Sequence, residues 1–290
     1  MSLATLVLLT HTATAASAGS DPLLNDRDRE VMQACWRQVG LGATSCPTAD
    51  SLLNHIQAYP AGDLVRSANE PFDSELALPL TFIALRAGDR MQRGDMAGAA
   101  ADATFLLGVS EAALDRPQVS PDLLQVSLSV SQSVTEQLVE AWSGPVPVEL
   151  ATLLAVPPRS APERAALEFG ACSWEAVTWS SPAFEDRSRR FAREGQSGQA
   201  KMWVPLALAR PTMLRLMNDA CDRTLADRLG LAPPPSPRVT LVERLTGLSS
   251  LRAPHAMPLL THDLFGSIGA YDAARLEARA ALDSGTAHPD

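Results

Sequence analysis

The sequence predicts an all-α protein, an irregular multi-helix array or bundle of antiparallel helix pairs with no substantial sheet. Three observations predict it. The apolar residues are dominated by 46 Ala and 41 Leu, both strong helix formers, while strand-favouring residues are scarce, with 3 Ile and 2 Tyr. Apolar positions recur at spacings of three and four, in segments that open on a capping residue or a proline. No segment alternates with period two over more than a few residues.

The helices follow in order. Asn25 or Asp26 can cap a first helix to about Val39, with Gly40 and Gly42 past its end. Pro47, followed by Thr48 and Asp50, marks the start of a second. Asp73 or Ser74 can cap a helix from Glu75 to Arg93, whose face is Leu76, Leu80, Ile83 and Ala87. Gly94-Asp95 breaks it, and the next helix runs from Met96 to Leu114 through Ala99, Ala103, Leu106 and Leu107. Ser120-Pro121-Asp122 supplies a cap, a proline and an early acid for a helix to about Trp142. A short helix at about 147–155 follows. Pro162-Glu163 opens one to about Thr178, Arg210-Pro211-Thr212 one to Leu229, and Ala270 to Leu282 is a closing amphipathic helix. Residues 239–245 and 256–265 give two shorter segments. This divides the chain into residues 1–18, an N-terminal helical region 19–143, and a C-terminal helical region 144–290 with a mobile polar segment at 181–199.

Composition excludes several function classes. At 290 residues, 46% apolar and 20% charged, the chain is too apolar for a disordered protein. A net charge of −9 leaves no basic excess, so no nucleic-acid partner is expected. No strand, Gly-rich turn and helix unit occurs, so no nucleotide cofactor is expected either.

The N-terminus gives an address. Leu3 to Leu9 is a short apolar run, the first charge is Asp21, and Ala16-Ser17-Ala18 has the small-x-small pattern of a cleavage site. Residues 1–18 therefore read as a secretory signal or as a flexible tail. No Lys or Arg precedes Arg27, and the run is too short to span a bilayer. The expected location is the periplasm or the envelope without a transmembrane helix, and otherwise the cytoplasm.

The four cysteines fit two disulfides in an oxidising compartment. Cys35 lies in the last turn of the first helix and Cys46 at the start of the second, positions that face each other across a helix-hairpin mouth. A Cys35–Cys46 bridge is therefore expected, with Cys172–Cys221 as the remaining pair. The alternative is four small buried apolar residues. No Cys-x-x-Cys occurs, which excludes a zinc ribbon or thioredoxin-type motif.

Residues with chemical potential are few. His255 and His262 are seven apart, but metal binding needs a third ligand and closer spacing, so they read as surface or packing histidines. Cys172, between Ala171 and Ser173 in mid-helix, reads as helix packing rather than a nucleophile. Glu168 and Glu175 share a helix face and read as solvated glutamates rather than an acid–base pair. Arg187, Arg189, Arg190 and Arg193 are partly neutralised by Glu185, Asp186 and Glu194 and read as a solvated linker. Trp174, Trp179 and Trp203 are core residues or the lining of a groove between helices. No catalytic, cofactor or metal residue is assigned.

Residues Ala84 to Ala103, with Gly94-Asp95 at the turn and Ala99 after it, resemble one tetratricopeptide-like helix pair within about 80–114. More broadly, Arg86 to Gly94, Ala99 to Leu107, Ser120 to Leu138, the run Arg164-Ala165-Ala166-Leu167 to Gly170, and Arg210-Pro211 to Asn218 resemble an uncharacterised family of helical bacterial envelope proteins. That resemblance implies a helical fold and an envelope location, and nothing catalytic. The function expected is a non-catalytic binding or scaffold protein that recognises a protein or peptide through a helix face. The alternative is an enzyme or small-ligand binder with a pocket at Trp174, Trp179 and Trp203.

Overall fold

A computed structural model describes residues 24–40, 46–68, 76–142, 145–179, 210–235 and 263–283. These residues form ten α-helices, and no strand occurs among them. The helices are α1 (Asp26–Gly40), α2 (Asp50–Gln57), α3 (Ala61–Ala68), α4 (Ala77–Gln92), α5 (Met96–Leu114), α6 (Pro121–Ala141), α7 (Val148–Leu154), α8 (Ala161–Trp179), α9 (Arg210–Arg228) and α10 (Leu264–Asp283). The all-α expectation holds.

Local chemistry explains most of the boundaries. Asn25 caps α1: its Oδ1 accepts from the Asp28 amide at 3.0 Å, and Asp28 Oδ2 accepts from the Asn25 amide at 3.1 Å. Ser160 and Glu163 make the same reciprocal box at the start of α8. Asp95 caps α5 by accepting from the Gly98 amide at 3.0 Å, after Gly94 has turned the chain at φ +77°. A link of three residues, 93–95, leaves α4 and α5 no choice but to lie antiparallel. At the end of α9, Gly230 takes φ +64°, and the Leu231 amide donates to the Ala226 carbonyl at 2.8 Å.

Three boundaries differ from the sequence reading. Pro47 opens a single 3-10 turn, Pro47–Ala49, before α2 begins at Asp50. A separate helix, α3, follows Pro60. The last helix starts at Leu264 instead of Ala270, because Leu264, Ile268 and Tyr271 are all buried and share one face across Gly266 and Gly269.

The chain forms two compact units. The first unit takes residues 1–116, 122–159 and 266–290, and so most of α10; the second takes 117–121 and 160–265.

In the first unit α5 packs against α3, α4 and α7, and α2 packs against α4. Helix α5 is long and apolar enough to cross a membrane, but most of its residues are buried in this core. Helix α6 is buried on most of its circumference through Leu123, Leu124, Val126, Leu128, Val130, Val134 and Leu138. Its buried hydroxyls are answered locally: Ser127 and Thr135 donate to the carbonyls of Leu124 and Ser131, and Ser131 pairs with Ser110 of α5 at 2.8 Å.

In the second unit α8 and α9 pack along each other. Cys172 meets Cys221 and Glu168 meets Arg228, so rising number in one helix matches falling number in the other, and the pair is antiparallel. Gly170 of α8 has no side chain for a reason: a Cβ there would fall 1.9 Å from the Pro117 carbonyl oxygen.

Candidate functional site

Both expected cysteine pairs are brought together. Cys35 at the end of α1 is bridged to Cys46, with their Cα atoms 5.6 Å apart. The Thr48 hydroxyl lies 3.1 Å from Cys46 Sγ beside the bridge. Cys172 of α8 is bridged to Cys221 of α9, at a Cα separation of 5.8 Å. The bridges close separations of 11 and 49 residues. Chain entropy assigns them about 3 and about 4 kcal/mol. Two such bridges point to an oxidising compartment.

The other candidates fare differently. Trp174 is half-buried on α8, Trp179 is the last residue of that helix, and Trp203 lies outside the described residues, as do His255, His262 and the Arg187–Arg193 cluster. The groove reading needs Trp203 and so lies outside the described residues. The reading of Glu168 and Glu175 as solvated is overturned, since they are 4% and 5% exposed. Glu168 is answered by Arg228, whose Nε and Nη2 donate to its two oxygens at 2.9 and 3.2 Å. That hydrogen bond, outweighing partial burial, raises the Arg228 pKa above its ordinary value.

Two further charge clusters are buried in the first unit. In one, the Asp102 carboxylate of α5 is fully buried. It accepts from Arg86 Nη2 at 2.7 Å, Arg90 Nη1 at 2.8 Å and Gln57 Nε2 at 2.8 Å. Arg86 also donates to Asn54 and Gln57 of α2, so a single guanidinium ties α2 to the α4–α5 hairpin. Arg86 and Arg90 of α4 thus both pair with an acid one helix away.

In the other cluster, Arg159 donates to Glu111 at 2.6 Å and to Asp272 at 3.1 Å, and the Tyr271 hydroxyl donates to Glu111 at 2.8 Å. Arg275, fully buried, donates to Asp272 at 2.9 Å and to the carbonyls of Leu153 and Val156 at 2.9 and 2.6 Å, closing the C-terminal end of α7. Burial, joined by the Glu111 charge, pushes the Tyr271 phenol well above its ordinary pKa. Burial opposes the charge of Arg159, but its hydrogen bond to Glu111 and the charges of Glu111 and Asp272 outweigh that and raise its pKa. Two acids against two arginines leave this cluster balanced. Such an arrangement holds helices in register.

Nothing in the local sequence marks this second cluster. Glu111 and Tyr271 lie 160 residues apart, and no local spacing marks the pair. No protein-family model, curated protein or solved structure matches the chain.

Proposed function

We propose that the protein is an exported, non-catalytic helical binding or scaffold protein of the bacterial envelope, which recognises a partner protein or peptide through a helix face. One observation carries the reading: all four cysteines are used in two bridges, an economy that suits a compartment where thiols are oxidised. The resemblance of residues 75–285 to helical envelope proteins supports the same address. The buried acids Asp102, Glu111, Glu168 and Asp272 are engaged by arginines, which supports a structural use of these charges.

The test expresses the full chain with a C-terminal tag in a Gram-negative bacterium. Cells are fractionated and thiols are blocked with a polyethylene-glycol maleimide before and after reduction. The reading expects release with the periplasmic fraction, no free thiol before reduction and four after it. Recovery in the cytoplasmic fraction with four free thiols overturns it. Recognition is tested by gel filtration of a gently extracted envelope fraction: elution above the size of the free chain is expected, and elution at that size overturns the binding half.

A further inference from the structure

We infer that the Cys172–Cys221 bridge is a redox-sensitive fastening whose state is passed to the start of α10. When it opens, the α8–α9 pair loosens and the α10 N-terminus is released, while the helices of the first unit keep their fold. The proposed oxidising address says only where this would operate; the device itself stands on the geometry of the second unit.

The bridge sits in mid-helix on both partners. Among the described residues, the buried cluster around it is Ala176, Met217 and Ala220, with Phe169 and Leu214 packed against it. Two of those five are alanines, which bury little area, so the cystine itself is a large part of the contact. Helix α9 also buries Leu216 and Ala226, although seven of its nineteen residues are charged. The staple lies at the middle of this contact, and closing 49 residues it restricts the unfolded chain strongly.

The bridge also keeps two groups in register. Arg228, two turns after Cys221, spans both oxygens of Glu168, one turn before Cys172. The same guanidinium donates to Asp263 Oδ1 at 2.8 Å, and Glu168 Oε1 accepts from the Phe265 amide at 3.4 Å. Asp263 immediately precedes α10, and Phe265 is its second residue. Arg164 of α8 and Arg228 of α9 also stack on the Phe265 ring, at 4.5 and 5.0 Å. The start of α10 is thus held jointly by α8 and α9, and only while the two are aligned.

In the first unit, by contrast, the Asp102 and Glu111 clusters cross-link helices without any sulfur, and the Cys35–Cys46 bridge fastens only the end of α1. Opening the longer bridge takes two electrons and two protons from a dithiol, which leaves as its own disulfide. One thiolate of the dithiol attacks one sulfur of the bridge once the pair opens enough to admit it, since both cysteines are buried. A protein–dithiol mixed disulfide forms, the other cysteine leaves as a thiolate that takes up a proton, and the second thiol of the dithiol then releases the first cysteine.

The test is hydrogen–deuterium exchange on the full oxidised chain, with and without dithiothreitol. Reduction is expected to cut protection in α8, α9 and residues 264–266 by about a hundredfold or more, leaving α4, α5 and α6 within about threefold. Cys172→Ala with Cys221→Ala should reproduce this without reductant, and Cys35→Ala with Cys46→Ala should not. Arg228→Ala in the oxidised chain should free residues 264–266 and spare the middle of α8. Retained protection in reduced α8 and α9, or uniform loss across the chain, overturns the fastening; an unchanged α10 start in Arg228→Ala overturns the transmission. These readouts do not depend on cellular location, so they can fail while the thiol count in cells succeeds, and the reverse.

Discussion

Arg86 closes a two-pronged pair on the buried carboxylate of Asp102, with Nη2 to Oδ1 at 2.7 Å and Nε to Oδ2 at 3.2 Å. Neither side chain is open to water, so neither can be removed without leaving the other charged in a dry site. Asp102→Ala is expected to cost about 3–5 kcal/mol, read as a fall in the urea midpoint. Arg90→Ala should cost only about 1 kcal/mol, because Arg90 is partly exposed and its loss leaves the Arg86 pair intact. Equal effects from the two variants would count against this account.

Tyr271 gives an alkaline signature. In the fold its phenol is held neutral by burial and by the Glu111 charge, so its folded pKa is raised. The unfolded phenol ionises near pH 10. The associated stability is full below that pH and is lost as pH rises toward the folded pKa, because above pH 10 the unfolded state has shed a proton that the folded state keeps. The expected slope is about 1.4 kcal/mol per pH unit. Tyr271→Phe should remove that slope and, by losing a hydrogen bond to a charged acceptor, cost about 1–2 kcal/mol near neutrality. Tyrosinate absorbance near 295 nm should show the Tyr271 step only as the chain unfolds.

Arg275 holds the end of α7. Its removal uncaps the Leu153 and Val156 carbonyls and leaves Asp272 facing Arg159 alone. Arg275→Ala is expected to cost about 3–5 kcal/mol. Arg275→Lys should recover less than half of that, since a single ammonium cannot reach both carbonyls and the carboxylate. Thermal melts of the three proteins check the order.

Gly170 and Gly40 offer a paired test of packing. Gly170→Ala drives a methyl into the Pro117 carbonyl and should cost about 1–3 kcal/mol. Gly40→Ala, at the end of α1 with open space around it, should stabilise by about 0.4–1 kcal/mol. Urea midpoints of opposite sign are the expected result.

What could be read from the chain was local. The start of α5 at Met96 followed from Gly94-Asp95, and that of α6 from Ser120-Pro121-Asp122, because caps and prolines act within one turn. The Cys35–Cys46 bridge was legible because both residues sit at the mouth of one connection. The burial of Glu168 was not, because its partners Arg228 and Phe265 lie 60 and 97 residues further on. The start of α10 was missed since Gly266 and Gly269 look like breaks until Leu264 and Ile268 are seen to be covered. Asp102 carried a faint signal: an acid facing two arginines across a three-residue turn, in helices otherwise rich in alanine.

The return of α10 to the first unit sets a timetable for synthesis. Glu111 leaves the ribosome 160 residues ahead of the tyrosine that it will bind, and Leu153 waits for Arg275 over a gap of 122. Until those late residues emerge, Glu111 has Arg159 but not Tyr271, Asp102 already has its arginines, and α7 lacks its cap. At ordinary elongation speeds of roughly 5–20 residues per second, that gap lasts on the order of ten seconds. For that interval the nascent chain is an unfinished substrate, open to chaperones and to any machinery that threads polypeptides before they close.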